Sequence, residues 1–302
     1  MAAVGRTAAD SPVADSPAAD ARGVVAAVAV AARHGLRVTD PVVLRSASNL
    51  LVHLRPAPVV ARVATTTALA RPGVVAWLAR DLAVAGYLTG RGLPVVPPTE
   101  ELPPGPHQHD GLVLSFTTHL PHDRDRSPRP GEVAALLAEL HAGLRGYPGA
   151  LPERLPLDDI AAGLARLAGT GAVGEVELAA LRAARDELVA RWPFGAVASQ
   201  PLQGDAHPGN LLFTPTGPVW NDFEDTWRGP VLWDLACLAA TGRLAGRAEV
   251  AAYPHPPDAA ELAPWLAVRR LHALVWGLLL AERVPAARAD ARARLAGFLA
   301  GA

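Results

Sequence analysis

The spacing of apolar residues changes once along this chain, and that change sets the fold class. From residue 41, "VVLRSASNLLVHLRPAPVVARVAT" alternates with period two, the pattern of half-buried strands. A Ser-rich turn and then Pro56-Ala57-Pro58 divide it into three short strands of a meander. "PGVVAWLARDLAVAGYLTGRG" follows with apolar residues at 74, 78, 82, 85 and 88, a helical stripe entered at Pro72 and left at Gly90 and Gly92. One helix should therefore pack on the sheet. The Pro-rich "PVVPPTEELPPGPHQHDG" is expected to be a loop, with "LVLSF" a strand leaving it. From Gly131 the helical period dominates, as in "EVAALLAELHAGL" and "WLAVRRLHALVWGLLLAERV", broken only around residues 203–225. A small β-rich part followed by a larger helical part is an α+β arrangement.

With 302 residues and 50% hydrophobic content, the chain can bury one large core or two modest ones. A formal net charge of −1 provides no global field to draw it to nucleic acid or an anionic membrane, so neither is expected as a partner. The apolar stretches "VVAAVAVAA" and "ALVWGLLLA" are shorter than the roughly 18 residues a membrane span requires. The single cysteine, Cys237, lies in the apolar run "VLWDLACLAA", which rules out an internal disulfide and suits a reducing, cytoplasmic compartment. All 28 basic residues are arginine. The first 22 residues repeat Ala, Asp, Ser and Pro without apolar periodicity and read as a disordered tail that lacks the apolar run of a secretory signal.

The interrupting segment reads "QGDAHPGNLLFTPTGPVWNDFED". Asn210 opens one strand, "TPTGP" is a turn, and "VWNDF" returns, so a hairpin centred on Thr216 would make Asn210 and Asp222 cross-strand neighbours, about 5 Å apart. Asp205, on the loop just before, can lie beside them. Two carboxylates and an amide oxygen converging on one point suit a hard cation such as Mg²⁺, which takes oxygen ligands and leaves places for substrate phosphates.

These residues carry a resemblance. "QGDAHPGNLL" followed by "NDFED" resembles the catalytic signature of the aminoglycoside phosphotransferase and choline kinase-like family, relatives of protein kinases, in which an Asn follows the catalytic Asp by five residues and a metal-binding Asp lies on the next strand. "VVAR" sits where a kinase strand carries its phosphate-binding lysine, and "LARDLAVAGYL" where the next helix carries an acid. "LLAELH" and "GPVLWDLACLA" resemble helices flanking the catalytic segment. The resemblance covers roughly residues 41–300. It implies a two-lobed protein-kinase-like fold, with a nucleotide-binding lobe over residues 23–118 and a helical catalytic and acceptor-binding lobe over residues 119–302. It implies transfer of the γ-phosphoryl group of ATP or GTP to a hydroxyl of a small molecule, an aminoglycoside or another hydroxylated compound.

By the same resemblance Asp205 would orient the acceptor hydroxyl and receive its proton, while Asn210 and Asp222 hold Mg²⁺. Arg62 would contact the nucleotide phosphates with Asp81 paired to it, and alternation along "VVARVAT" points Arg62 towards the cleft with Val60 and Ala64. Ser46 and Ser48, in the glycine-free turn "RSASN", would cradle phosphates, and the backbone near Phe116 and Thr117 would meet the adenine. Gln203 stands where the family usually has histidine. His207 would pack and hydrogen-bond to hold the loop, and Asp234, costly to bury unpaired, would anchor loop amides. Glu224 and Asp225 would either draw an amino-bearing acceptor or form a hydrogen-bonded turn. "HQHD" at 107–110 is assigned to solvent. Arginine for lysine at 62, Asp for Glu at 81 and Gln203 are departures from the family pattern. They leave as the alternative a nucleotide-binding regulatory module of weak or absent activity.

Overall fold

The computed structural model describes residues 17–71, 73–129, 131–192 and 197–301. Residues 1–16 of the expected tail and the helix-entry Pro72 lie outside them. The tail's other end is corrected: helix α1 (Pro17–Arg33) begins within it. Alanine is the strongest helix former, and Asp20 in the first turn with Arg33 in the last complements the helix dipole. Ala27, Val30 and Ala31 are fully buried against the sheet, a tertiary contact that composition does not display.

The sheet comprises β1 (Asp40–Ser46), β2 (Asn49–Arg55), β3 (Val59–Ala64), β4 (His107–His109) and β5 (Leu112–Thr118), all pairs antiparallel in the order β1-β2-β3-β5-β4. Its registers, Leu51↔Arg62↔Ser115 and Asn49↔Ala64, place these residues on one face. Leu50, Val52, Leu54, Ala61, Val63, Leu114 and Phe116 pack on α1 at the other. Each large side chain buried this way contributes about 1.5–3 kcal/mol. Strand β4 corrects the expected long loop: His107–His109 pairs back on β5 around Asp110 and Gly111, both at positive φ, a tight hairpin that the dipeptide Asp-Gly favours.

Between β3 and β4 lie the short helix α2 (Thr66–Ala70) and helix α3 (Val74–Thr89). Helix α3 packs Val74 and Leu78 on Ala64 of the sheet and turns Trp77, Val84, Ala85 and Leu88 into the second core. That core is built from α4 (Glu132–Leu144), α5 (Leu155–Ala168), α6 (Glu175–Ala190), α7 (Leu232–Ala240), α8 (Gly246–Ala251), α9 (Ala259–Arg283) and α10 (Arg288–Ala300), with the two-residue strands β6 (Gln200–Pro201) and β9 (Arg228–Gly229) paired. Helix α9 packs on α5, α6, α7 and α10. Its start is fixed by Asp258, which accepts from Ala260 and Glu261 amides at 2.8 Å while Glu261 accepts from the Asp258 amide. No described helix is long and apolar enough to cross a membrane.

Candidate active site

The hairpin of β7 (Leu211–Thr214) and β8 (Gly217–Trp220) lies at the junction of the two cores, but its register is not the expected one. Leu211 pairs with Trp220 and Thr214 with Gly217, so the turn is Pro215-Thr216, and the Asn221 amide donates to the Asn210 carbonyl at 2.9 Å. Asn210 therefore faces Asn221 and not Asp222. A one-residue slip would send Asp222 to the opposite face. It does not, because Asp222 leaves the strand in the left-handed region at φ 68 and turns its carboxylate onto Arg62.

Asp205 sits on the loop before this hairpin with its side chain a quarter exposed. Four groups fix the loop. Asp234, fully buried at the start of α7, accepts from the amides of Gln203 and Gly204 at 2.9 Å and from His141 Nε2 at 2.9 Å. Gln203 accepts the Asp205 amide at 2.6 Å and donates through Nε2 to the Asp222 carbonyl at 2.7 Å, tying the loop to the far side of the hairpin. Asn210 Nδ2 donates to the Asp205 carbonyl at 3.0 Å. His207 Nδ1 accepts the Gly209 amide, so Nε2 carries the proton and faces Asp205 Oδ2 at 3.3 Å. Gly204 has φ 93, and a Cβ there would overlap the Asp225 carbonyl.

On the sheet side, Arg62 is buried and donates through Nη1 to Asp222 Oδ1 at 2.6 Å and Glu224 Oε2 at 3.2 Å. These carboxylates hold its pKa high against burial, which acts the other way. The expected Arg62–Asp81 contact pair is not formed. Asp81 is one methylene shorter than glutamate and spends its carboxylate on the Phe223 amide at 2.7 Å. Burial raises the pKa of Asp81, and the Arg62 charge opposes the rise. Ser46 is diverted, its hydroxyl donating to Asp20 of α1 at 2.8 Å. The Ser48 carbonyl is held by the hydroxyls of Thr65 and Thr67 at 3.2 Å. The backbone of Phe116, expected near the adenine, is engaged within the protein. Its amide donates to the Pro104 carbonyl, its carbonyl accepts from Thr99, and Thr117 is paired to Val60 and bridged to Pro98.

Several participants were missed by sequence reasoning. Arg71, just after α2, donates to Asp159, Asp225 and Glu224 while its guanidinium lies 3.9 Å from the Trp77 ring centroid. Glu224 and Asp225 are thereby committed within the protein. Burial, followed by the Asp222 charge, pushes the Glu224 carboxyl up to about 8. Arg269 of α9 donates to Asp205 Oδ1 at 2.6 Å. Asn49 shares the sheet face of Arg62 and donates to Glu224, a position that strand alternation could have shown. Asn49 Oδ1 and Ser115 Oγ on that face are buried without a partner among the described residues.

The donor set fits a divalent cation. Asp222, a third exposed, and Glu224 both contact one Arg62 nitrogen, and Asn210 has its amide nitrogen engaged, which leaves the oxygen as acceptor. Among the described residues no group of three or more His, Cys, Asp or Glu side chains is placed to hold a metal ion by itself. A cation held here thus needs Asn210 and oxygens from a bound phosphate to complete its shell.

The model of the phosphotransferase enzyme family (APH) matches residues 8–265. The chain belongs to this family. Among solved structures, the phosphotransferase fold is shared with a choline kinase from Streptococcus pneumoniae (14% identity, 89% of this chain and 98% of that chain covered, TM-score 0.62). It is shared also with a choline/ethanolamine kinase family protein from Mesorhizobium loti (19%, 94% and 94%, 0.58) and with an aminoglycoside phosphotransferase in complex with GDP and kanamycin (14%, 91% and 98%, 0.65). No curated protein matches the sequence. The family match identifies this phosphotransferase as kinase-like in fold, with the antiparallel sheet as one part and the larger helical part as the other.

Proposed function

We propose that this phosphotransferase moves the γ-phosphoryl group of MgATP or MgGTP to a hydroxyl of a small molecule, a hydroxylated metabolite or antibiotic of which the aminoglycosides are one class. One observation carries the reading: Asp205, Asn210 and Asp222 lie on one loop-and-hairpin unit, tied together by the Asn210 bond to the Asp205 carbonyl and the Gln203 bond to the Asp222 carbonyl, with the Asp222 carboxylate on a buried Arg62 of the sheet. Asp205 orients the acceptor hydroxyl and takes its proton as the acceptor oxygen bonds to the γ-phosphorus. The bond from that phosphorus to its bridging oxygen breaks, leaving a nucleoside diphosphate. Asn210 and Asp222 would hold Mg²⁺, which would neutralise phosphate charge when bound. Arg62 supplies a fixed positive charge on the nucleotide side, always protonated, in place of a lysine.

Thermal unfolding with MgATP, MgGTP and Mg²⁺ alone, followed by turnover on a panel of hydroxylated compounds, tests the reading. A nucleotide-dependent rise in midpoint is expected. Asp205→Asn should keep that rise and lose turnover by about 100-fold or more. Unchanged turnover in that variant, or no shift with either nucleotide, would refute the assignment.

A further inference from the structure

Asp205 is carried by a loop, and a carboxylate on a loop has two side-chain torsions to lose before it can meet a hydroxyl in one orientation. One of its oxygens is nevertheless fixed. Arg269 Nη2 donates to Oδ1 at 2.6 Å, whereas among the described residues Oδ2 has the longer approach of His207 Nε2, at 3.3 Å. Arg269 is itself held from helix α9. Its Nη1 donates to His272 Nδ1 at 3.3 Å, one turn along the same helix, so His272 carries its proton on Nε2 and donates to Asp159 Oδ2 at 2.9 Å. Asp159 is gripped by two nitrogens of Arg71, at 3.3 and 3.0 Å, and Arg71 is stacked against Trp77 and Trp276. Arg269 and His272 both belong to the 25-residue helix α9, so this line of contacts ties the Asp205 carboxylate to that helix.

We propose that Arg269 is a positioning residue for phosphoryl transfer: it clamps Oδ1 of Asp205 so that Oδ2 is presented to the acceptor hydroxyl. The inference rests on the reading of Asp205 as the group that receives the hydroxyl proton. It assigns Arg269 a role in rate through Asp205, with no contact to the nucleotide.

The test needs no knowledge of the acceptor, because water can stand in for it. Single-turnover release of labelled γ-phosphate from MgATP and MgGTP is measured for the wild type, Arg269→Ala, Arg269→Gln, Arg269→Lys, Asp205→Asn and the double variant Asp205→Asn/Arg269→Ala. Thermal midpoints are recorded for each. Arg269→Ala should slow release by about 10- to 100-fold with the nucleotide KM unchanged, and added guanidinium ion should restore part of the rate. Arg269→Gln keeps the bulk and amide donors if the alanine variant fails to fold, and Arg269→Lys should fall between it and the wild type. The deciding comparison is the double variant, which should be no slower than Asp205→Asn alone. If removing Arg269 slows the Asp205→Asn background by the same factor as the wild type, or raises KM instead, Arg269 is not acting through Asp205 and the inference falls. A wild type that neither gains stability from a nucleotide nor releases phosphate removes the phosphotransfer reading, and this inference with it.

Discussion

Asp234 anchors the loop that carries Asp205. It is fully buried, and two backbone amides and one histidine depend on its two oxygens. Replacing it with alanine strands three donors in a dry interior. A loss of about 3–5 kcal/mol is expected, read as a fall in unfolding free energy by chemical denaturation. Asp234→Asn, which keeps one acceptor, should lose less. Gly204 is comparably constrained, since its positive φ and the adjacent Asp225 carbonyl leave no room for a methyl group. Gly204→Ala should cost stability and displace Asp205, so turnover should fall further than nucleotide binding does. Equal activity and equal midpoint for that variant would show that the loop can relax around it.

At the scale of elements, what the sequence displayed depended on whether an element's neighbours lay nearby in the chain. The period-two run over residues 41–64 and the stripe from 74 to 88 were legible because each element carries its own apolar face, and β1, β2, β3 and α3 follow from it. Helix α1 was not legible. Its buried face is made of alanines and valines whose partners, Leu50 and Val63, come later in the chain. Strand β4 was hidden by prolines, although Asp110-Gly111 marked its turn. Asp205, Asn210 and Asp222 were legible as a unit, but the hairpin register was set one residue too far along because the turn closes on two residues. Arg71, Asp159 and Arg269 were invisible for a different reason: each lies in a segment with no motif, and only folding brings them within reach of Asp205 and Glu224. Val30→Asp, on the buried face of α1, tests the weight of that helix. It should destabilise the protein by about 3 kcal/mol or more through an unpaired buried charge, measured by denaturant midpoint.

For the molecule as a whole, the charge network makes stability depend on pH in two opposite ways. Asp159 is held well below the usual carboxylate range by Arg71 and His272, against its burial. Its contribution is present above the unfolded value of about 3.9 and is lost as pH falls through and below it, so acid unfolding should begin at a lower pH for the wild type than for Asp159→Ala. Glu224 behaves the other way. Its folded carboxyl keeps a proton up to about 8 because of burial and Asp222, while the unfolded one ionises near pH 4.3, so metal-free stability should decline as pH rises between these values. Glu224→Gln should flatten that slope in denaturation series run with a chelator. The same network speaks to the acceptor: Asp159, Asp225 and Glu224 already meet guanidinium groups. Their charge is spent on those groups and does not select for an amine-bearing acceptor. The buried cation at position 62 has one more consequence, for detection. With the nucleotide phosphates against Arg62 as proposed above, reagents that mark kinases by acylating a lysine beside those phosphates would find no amine there, since a guanidinium stays protonated and the chain has no lysine at all. A survey of cell extracts by such probes would pass over this enzyme even when it is abundant and active.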